Sequence, residues 1–319
     1  MKLVVGIDEA GFGPRLGPLV IAATRFLAPE SLQPRRFFTH LRSAVGQRGC
    51  GGDRWVVDDS KKLYHSGNDL AALEEPLFAF LACTPGTIPG DLATFLGTGP
   101  SALAERLFPY PWYAPSLATL ALPLDRPRRD ACLVKRLQEA LDAHGIVFLG
   151  LRLQVLLEGE FNDRLERFGN KATAHAEAVL RLLIDSLEGT EATSLEGVID
   201  RLGGRSYYGS LLSATFPFSP VAAGEEGALT SSYRLLVSGR PLAVTFEQSA
   251  DRHYLPVALA SMAAKYVREI FVSRINGYFR ARLPSLRPTA GYPTDAERFL
   301  REIEPILSPS ERSRLVRAK

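Results

Sequence analysis

Residues 4–23, VVGIDEAGFGPRLGPLVIAA, run from an apolar segment into two adjacent acids, Asp8 and Glu9, and then into Gly11, Gly13 and Gly17. Two chemistries suit such a stretch. Glycines can form a phosphate cradle, in which backbone N–H groups close round an anion. Acids can hold a hard divalent cation, which takes oxygen ligands. The glycine spacing argues against the cradle. A dinucleotide-binding turn needs G-x-G-x-x-G between a strand and a helix. Here Gly17 falls one residue late, and PLVIAATRF reads as strand. No G-K-[ST] follows, so a P-loop fails too. The acids are the better clue, because a carboxylate at a buried strand end is costly unless paired or bound to a cation. Alone, an Asp–Glu pair also describes a solvated turn.

Two more acids add weight. Asp200 cuts short the apolar run GVID, and Asp251 lies five residues before Pro256, where a long helix begins. That helix puts Ser261, Lys265 and Arg268 on one face. Such a face is ordinarily a solvated stripe, but beside carboxylates a lysine there suits a phosphate. From Ala264 to Arg287 six basic residues stand against one acid, with Tyr266, Phe271, Tyr278 and Phe279 between them. The pattern suits nucleic acid, and equally a helix whose aromatics fill the core. His175 and His253 read as structural or solvated.

These groups need elements to carry them. Residues 2–8 and 18–26 read as strands, rich in β-branched and apolar side chains. A short strand at 55–57 leads into the polar DDSKKL, and apolar spacing predicts a helix over 68–82. Residues 83–127 are dense in proline, glycine and aromatics. They read as an insertion, either a lid filling its own small core or a cover whose Tyr110, Trp112 and Tyr113 extend a nucleic-acid surface. A helix near 128–143, a strand at 146–157, a helix at 170–187 and a short strand ending at Asp200 follow. Then come one or two strands within 233–254, a helix over 256–279, with Pro256 suited to its first turn, and a last helix near 295–307. The order suggests one α/β domain over 1–307 interrupted at about 83–127, with a C-terminal tail at 308–319.

Composition sets wide bounds. Apolar content of 46% and charged content of 23% in 319 residues are ordinary for a globular protein. The balance of 38 basic and 35 acidic residues leaves +3, so any footprint for nucleic acid is local. Cys50, Cys83 and Cys132 form no CxxC, which argues against a zinc knuckle or a disulfide framework. The acids at 8 and 9 break the first apolar run, so no signal peptide is expected. No apolar run reaches the roughly 18 residues of a membrane span. A reduced, cytoplasmic protein is the expectation.

Five segments in one order resemble those of type 2 ribonucleases H, the HII and HIII group. GIDEAGFGPRLGPLV resembles that family's GxDEAGRGPxxGPVV, and DDSKKL (58–63) its DSKKL. GVID resembles the strand carrying its third acid, and ADRHYLPVALASMAAKYVRE (250–269) the segment with its fourth acid and an AAASIxAKxxRD-like helix. GYPT (291–294) resembles its late tyrosine motif. The resemblance spans nearly the whole chain, apart from the long stretch between the second and third segments.

The resemblance implies an α/β, ribonuclease H-like fold with a mixed central sheet flanked by helices, plus the insertion. It implies Asp8, Glu9, Asp200 and Asp251 as catalytic carboxylates binding Mg²⁺ or Mn²⁺, with Asp8 shared by two ions about 4 Å apart. It implies that the Gly11–Phe12–Gly13 turn approaches a ribose 2′-hydroxyl, where only glycine lets backbone come close. Tyr292 would stack on the sugar, and Lys62 and Lys265 would contact phosphate or serve the structure. The implied partner is an RNA/DNA hybrid or a duplex containing ribonucleotides, bound by a monomer with no membrane role. Departures are also visible. Phe12 stands where the family has arginine, RLGGR follows Asp200, and Glu297 stands where a histidine often follows the tyrosine motif. Arg15 is the candidate substitute for the missing arginine. These departures leave two alternatives: a catalytically weakened nucleic-acid-binding homologue, and a nuclease of the same fold with another DNA or RNA substrate.

Overall fold

The computed structural model of the chain describes residues 1–64, 70–86, 88–124 and 131–318. The expected helix starts at 68 and 128, and residues 87 and 125–127 of the expected insertion, lie outside the described residues. Seven strands build the central sheet: β1 (Lys2–Ala10), β2 (Leu19–Ala28), β3 (Val147–Leu156), β4 (Ser194–Asp200), β5 (Ala222–Glu226), β6 (Thr230–Val237) and β7 (Arg240–Glu247). Their spatial order is β3-β2-β1-β4-β7-β6-β5. The three central strands β1, β4 and β7 are parallel, and the flanking pairs are antiparallel. The sheet is mixed and helices cover both faces. The helices that matter below are α1 (Ser60–Leu63), α2 (Ala71–Ala82), α3 (Glu158–Phe168), α4 (Lys171–Leu187), α5 (Leu255–Arg282), α6 (Pro293–Ile303) and α7 (Pro309–Leu315).

Strand alternation divides the core in two. Val4, Val20, Ala22 and Phe26 pack with α5, whereas Leu3, Val5, Ile7, Leu19 and Ile21 pack with α4. α5 is buried through most of its length, from Leu255 to Phe279. Each fully buried large aliphatic or aromatic side chain on it contributes roughly 1.5–3 kcal/mol. Its first turn lies against β1 so closely that a Cβ on Gly6 would stand 2.4 Å from the carbonyl carbon of Pro256. The Thr24 hydroxyl of β2 donates to the Pro256 carbonyl at 2.8 Å and fixes the same contact from the next strand.

Two sequence expectations change. The described residues of 83–124 show no separate core; Leu103, Leu107, Tyr110, Trp112 and Tyr113 are buried in the same cluster as Phe271 and Phe279 of α5. Trp112 stacks on Phe279 (6.4 Å, 27°) and Tyr113 meets Phe271 edge-on (5.0 Å). Aromatics engaged this way offer no surface to a nucleic acid. The expected tail is also folded. α7 opens with a capping box between Ser308 and Glu311, and Leu315 and Arg317 beyond it are fully buried.

Gly6→Ala is expected to lower stability by about 3 kcal/mol or more, the upper range for overpacking, because the obstacle is backbone. Gly13→Ala, whose Cβ would meet nothing within 4 Å, is the control and should change stability by less than about 0.5 kcal/mol. Denaturant midpoints of the two variants check both values.

Candidate active site

The carboxyl ends of the three parallel strands converge on one side of the sheet. Asp8 lies near the end of β1, and Asp200 ends β4 one register step beyond the Ile7–Ile199 pair. β7 ends at Glu247, and the chain turns through Ser249 into a short 3-10 segment carrying Asp251. Ser249 is a non-glycine residue in the left-handed region (φ 56°), which sharpens that turn. The Ala250 N–H that follows donates to Asp200 Oδ1 at 2.9 Å and ties the two acids together. Alternation along β1 sends Asp8 to the α5 face, where Ser261 hydrogen-bonds it, and Glu9 to the α4 face, where its Oε2 lies 3.6 Å from His175 Nε2. A cavity of about 400 Å³ is lined by Asp8, Glu9, Asp200 and Asp251, with Gly11, Phe12, Gly13, Lys265 and Tyr292 around them.

The charges explain what the cavity is suited for. Three other buried carboxylates have cationic partners: Asp58 has Lys62 (2.8 Å), Glu247 has Arg35 (2.6 Å), and Glu269 has Lys265 (2.6 Å) and Arg268 (3.0 Å), whereas buried Glu158 accepts from the Tyr113 hydroxyl (2.7 Å). Among the described residues, Asp8, Asp200 and Asp251 make no ion pair. Burial, then Glu9 and Asp200, push the Asp8 carboxyl well above its ordinary value, although Ser261 pulls the other way. Burial pushes Asp200 up to about 7 against the Ala250 N–H, helped by Glu9 and Asp251. Burial and then Asp59 raise Asp251. Burial lowers Lys61, but Asp59, Asp8 and Asp251 outweigh it and hold its amine above the usual lysine range. The donors are hard oxygen atoms lacking cations, which is the chemistry a divalent metal ion satisfies. Among the described residues no three acids, histidines or cysteines are drawn into one coordination cluster.

Two expected contacts lie elsewhere. Lys62 bonds Asp58 and lines a separate cavity with Trp55 and Pro76; its neighbour Lys61 faces the acids instead. α1 is a single turn, so adjacent lysines point about 100° apart, and a motif match does not say which one faces in. Arg15, the candidate substitute for an arginine at position 12, is held by Glu297 (3.3 Å) and does not line the cavity. Phe12 turns its ring onto His175 (4.5 Å, 27°) with Lys171 Nζ 4.8 Å above it. His175 is thus a buried packing residue aimed at Glu9, and His253 is bound to Glu247 at 2.6 Å.

Sequence reasoning missed Asp59 and Lys61 as cavity residues; Ser261, expected on one helix face with Lys265, lines the cavity as well. Asp59 caps α1 by accepting from the Lys61 N–H, and Ser60 bonds Ser261 at 3.0 Å. The small polar residues of DDS and of ALASMAAK were the available signal. Arg268 proves to be neither a solvated stripe nor a free phosphate contact. It is 1% exposed and donates to the carbonyls of Leu16 (3.3 Å) and Ala290 (2.9 Å).

No protein-family model and no curated protein matches this chain. Among solved structures it is similar to the ribonuclease H2 of Pyrococcus horikoshii OT3, at 17% identity and TM-score 0.45 over 99% of this chain and 92% of that one. It is similar to the RNase HII of Archaeoglobus fulgidus, solved in a complex with PCNA, at 16% identity and TM-score 0.45 over 99% and 94%. A third is Bst-RNase HIII in complex with Mn²⁺, at 15% identity and TM-score 0.41 over 99% and 66%. No helix among the described residues is long and apolar enough to cross a membrane.

The raised acids set a pH dependence. The unfolded chain ionises Asp200 near pH 4, whereas the folded chain keeps the proton to about pH 7. Between these values the folded state binds more protons, so stability falls as pH rises, and the loss is complete above pH 7. Asp200→Asn should therefore have a higher melting temperature than the wild type at pH 8 in EDTA, and an equal one at pH 4. A thermal scan across that range checks it.

Proposed function

We propose that this chain is a divalent-metal-dependent nuclease of the type 2 ribonuclease H kind, cutting at RNA in RNA/DNA hybrids. One observation carries the reading: Asp8 and Asp200, at the ends of two parallel strands, and Asp251, in the 3-10 segment just after the third, share a cavity and make no ion pair among the described residues, beside the Gly11–Gly13 turn and Tyr292. The motif order of the sequence supports the same reading.

When bound, Mg²⁺ or Mn²⁺ would neutralise these acids, lower the pKa of a water and polarise the phosphoryl group. Asp8, Glu9, Asp200 and Asp251 are the residues that would hold the ions. Ser261 orients Asp8, and the Ala250 N–H orients Asp200. Lys61 and Lys265 bring positive charge to the same cavity, where a scissile phosphate would lie. Gly13 is exposed and open on its Cβ side, so a sugar can approach its backbone. Tyr292, 47% exposed at the rim, offers a ring face to the next sugar.

Asp8→Asn should cut a labelled hybrid at least about 10³-fold more slowly than the wild type while its fold is unchanged. That loss corresponds to the several kcal/mol that such a site contributes. Wild-type cleavage by this variant overturns the assignment. A panel of hybrid, single-ribonucleotide duplex, double-stranded RNA and DNA identifies the substrate. Cleavage of DNA alone assigns another nuclease, and metal-independent binding with no product assigns a binding protein. Gly13→Ala should fold normally and raise KM for the hybrid about tenfold, measured by steady-state cleavage, because its methyl occupies the space the sugar needs.

A further inference from the structure

The Gly11–Gly13 turn is held from beneath by the far end of the chain. Arg317 lies two residues beyond α7 and is 1% exposed. Its guanidinium donates to the Gly11 carbonyl and, at 3.5 Å, to the Phe12 carbonyl, and stands 4.0 Å over the Phe161 ring. Its own N–H donates to the Arg15 carbonyl at 2.9 Å. Asn162 of α3 grips both neighbours, donating to the Val316 carbonyl (3.0 Å) and accepting from the Ala318 N–H (2.8 Å). Each of these contacts is polar and directional, so the segment is seated in one register.

Peptide planarity gives the contact a consequence. The Gly11 carbonyl and the Phe12 N–H are opposite ends of one trans peptide unit, as are the Phe12 carbonyl and the Gly13 N–H. With both carbonyls turned to Arg317, trans geometry points both N–H groups away from it, and both residues line the cavity. Among the described residues neither N–H has a protein partner. A cation hydrogen-bonded to a carbonyl polarises the amide and strengthens its N–H as a donor. Two successive free donors form a concavity suited to one oxygen of a ligand.

We propose that Arg317 is a positioning residue of the substrate site, fixing these two backbone donors for an oxygen of the nucleic-acid strand. The proposal rests on the nuclease reading above. Phe12 itself has no side-chain donor, and its ring packs on His175 beneath Lys171. The cation therefore comes from the C-terminal segment.

The test uses the full chain with ¹⁵N-labelled phenylalanine and glycine. Arg317→Met keeps bulk over Phe161 but removes the donors. It should shift the Phe12 and Gly13 amide resonances and raise KM for a hybrid about tenfold with kcat within threefold. Arg317→Lys should restore most of the KM. Leu315→Ala loosens the same segment without touching the turn, and should leave KM near wild type. The proposal is overturned if Arg317→Met leaves both resonances in place, or if Leu315→Ala raises KM as much. Should Arg317→Met not fold, unmoved amides in Arg317→Lys overturn it equally. If the wild type cuts no hybrid, the nuclease reading fails on its own and the amide shifts still decide what Arg317 positions.

Discussion

The close backbone contact between Gly6 of β1 and Pro256 of α5 fixes most of the rest. A helix that meets a strand with no Cβ between them has one height and one tilt available. Asp8 lies two residues beyond the contact on the strand, and Ser261 lies five residues beyond it on the helix. Asp251 lies five residues before it. These offsets are short, so little chain freedom separates the contact from the cavity. The Ser261 bond to Asp8 and the Thr24 bond to the Pro256 carbonyl follow from the same docking. Parallel pairing of β1, β4 and β7 then brings Asp200 alongside, because parallel strands end together.

Arg268 performs a second registration, on the loops rather than the sheet. Burying a guanidinium is costly unless its charge and donors are answered. Here Glu269 answers the charge, and the carbonyls of Leu16 and Ala290 answer the donors. Those carbonyls belong to the two loops that border the cavity. Gly11 and Gly291 have positive φ, and a Cβ on either would meet backbone at about 2.5 Å and the Arg268 side chain next. These glycines serve the fold. Gly13, alone in its turn, has open space where a Cβ would stand, and so serves whatever enters the cavity.

The sheet and its long helices were legible because their signals are periodic. β1, β2 and β3, α4 and α5 follow from apolar spacing, and the acids at Asp8 and Asp200 stand out because each interrupts an apolar run. Contacts between residues distant in sequence were not legible. Arg15 was a free cation until Glu297, 282 residues later, closed on it. Lys62 and Lys61 are equivalent as letters and differ only in which way one helical turn points them. Tyr110, Trp112 and Tyr113 suited a surface as well as a core, and burial in the cluster with Phe271 and Phe279 decided it. The C-terminal segment carried no periodic signal beyond one turn, although it holds the turn beside the acids.

The cavity also gathers several carboxylates that make no ion pair among the described residues. Asp58, Glu247 and Glu269 are each matched to a nearby cation, and such matching removes most of the cost of burial. Asp8, Asp200 and Asp251 are left unmatched at a strand edge where they raise one another's proton affinity. Lysines stand within reach of the field but not in contact. The arrangement instead holds negative charge open toward the cavity and positive charge around its rim. That is the pattern a ligand carrying both a cation and an anion requires, and a metal-bound phosphodiester carries both. The net charge of +3 conceals this pattern, since the separation of sign occurs within a single cavity.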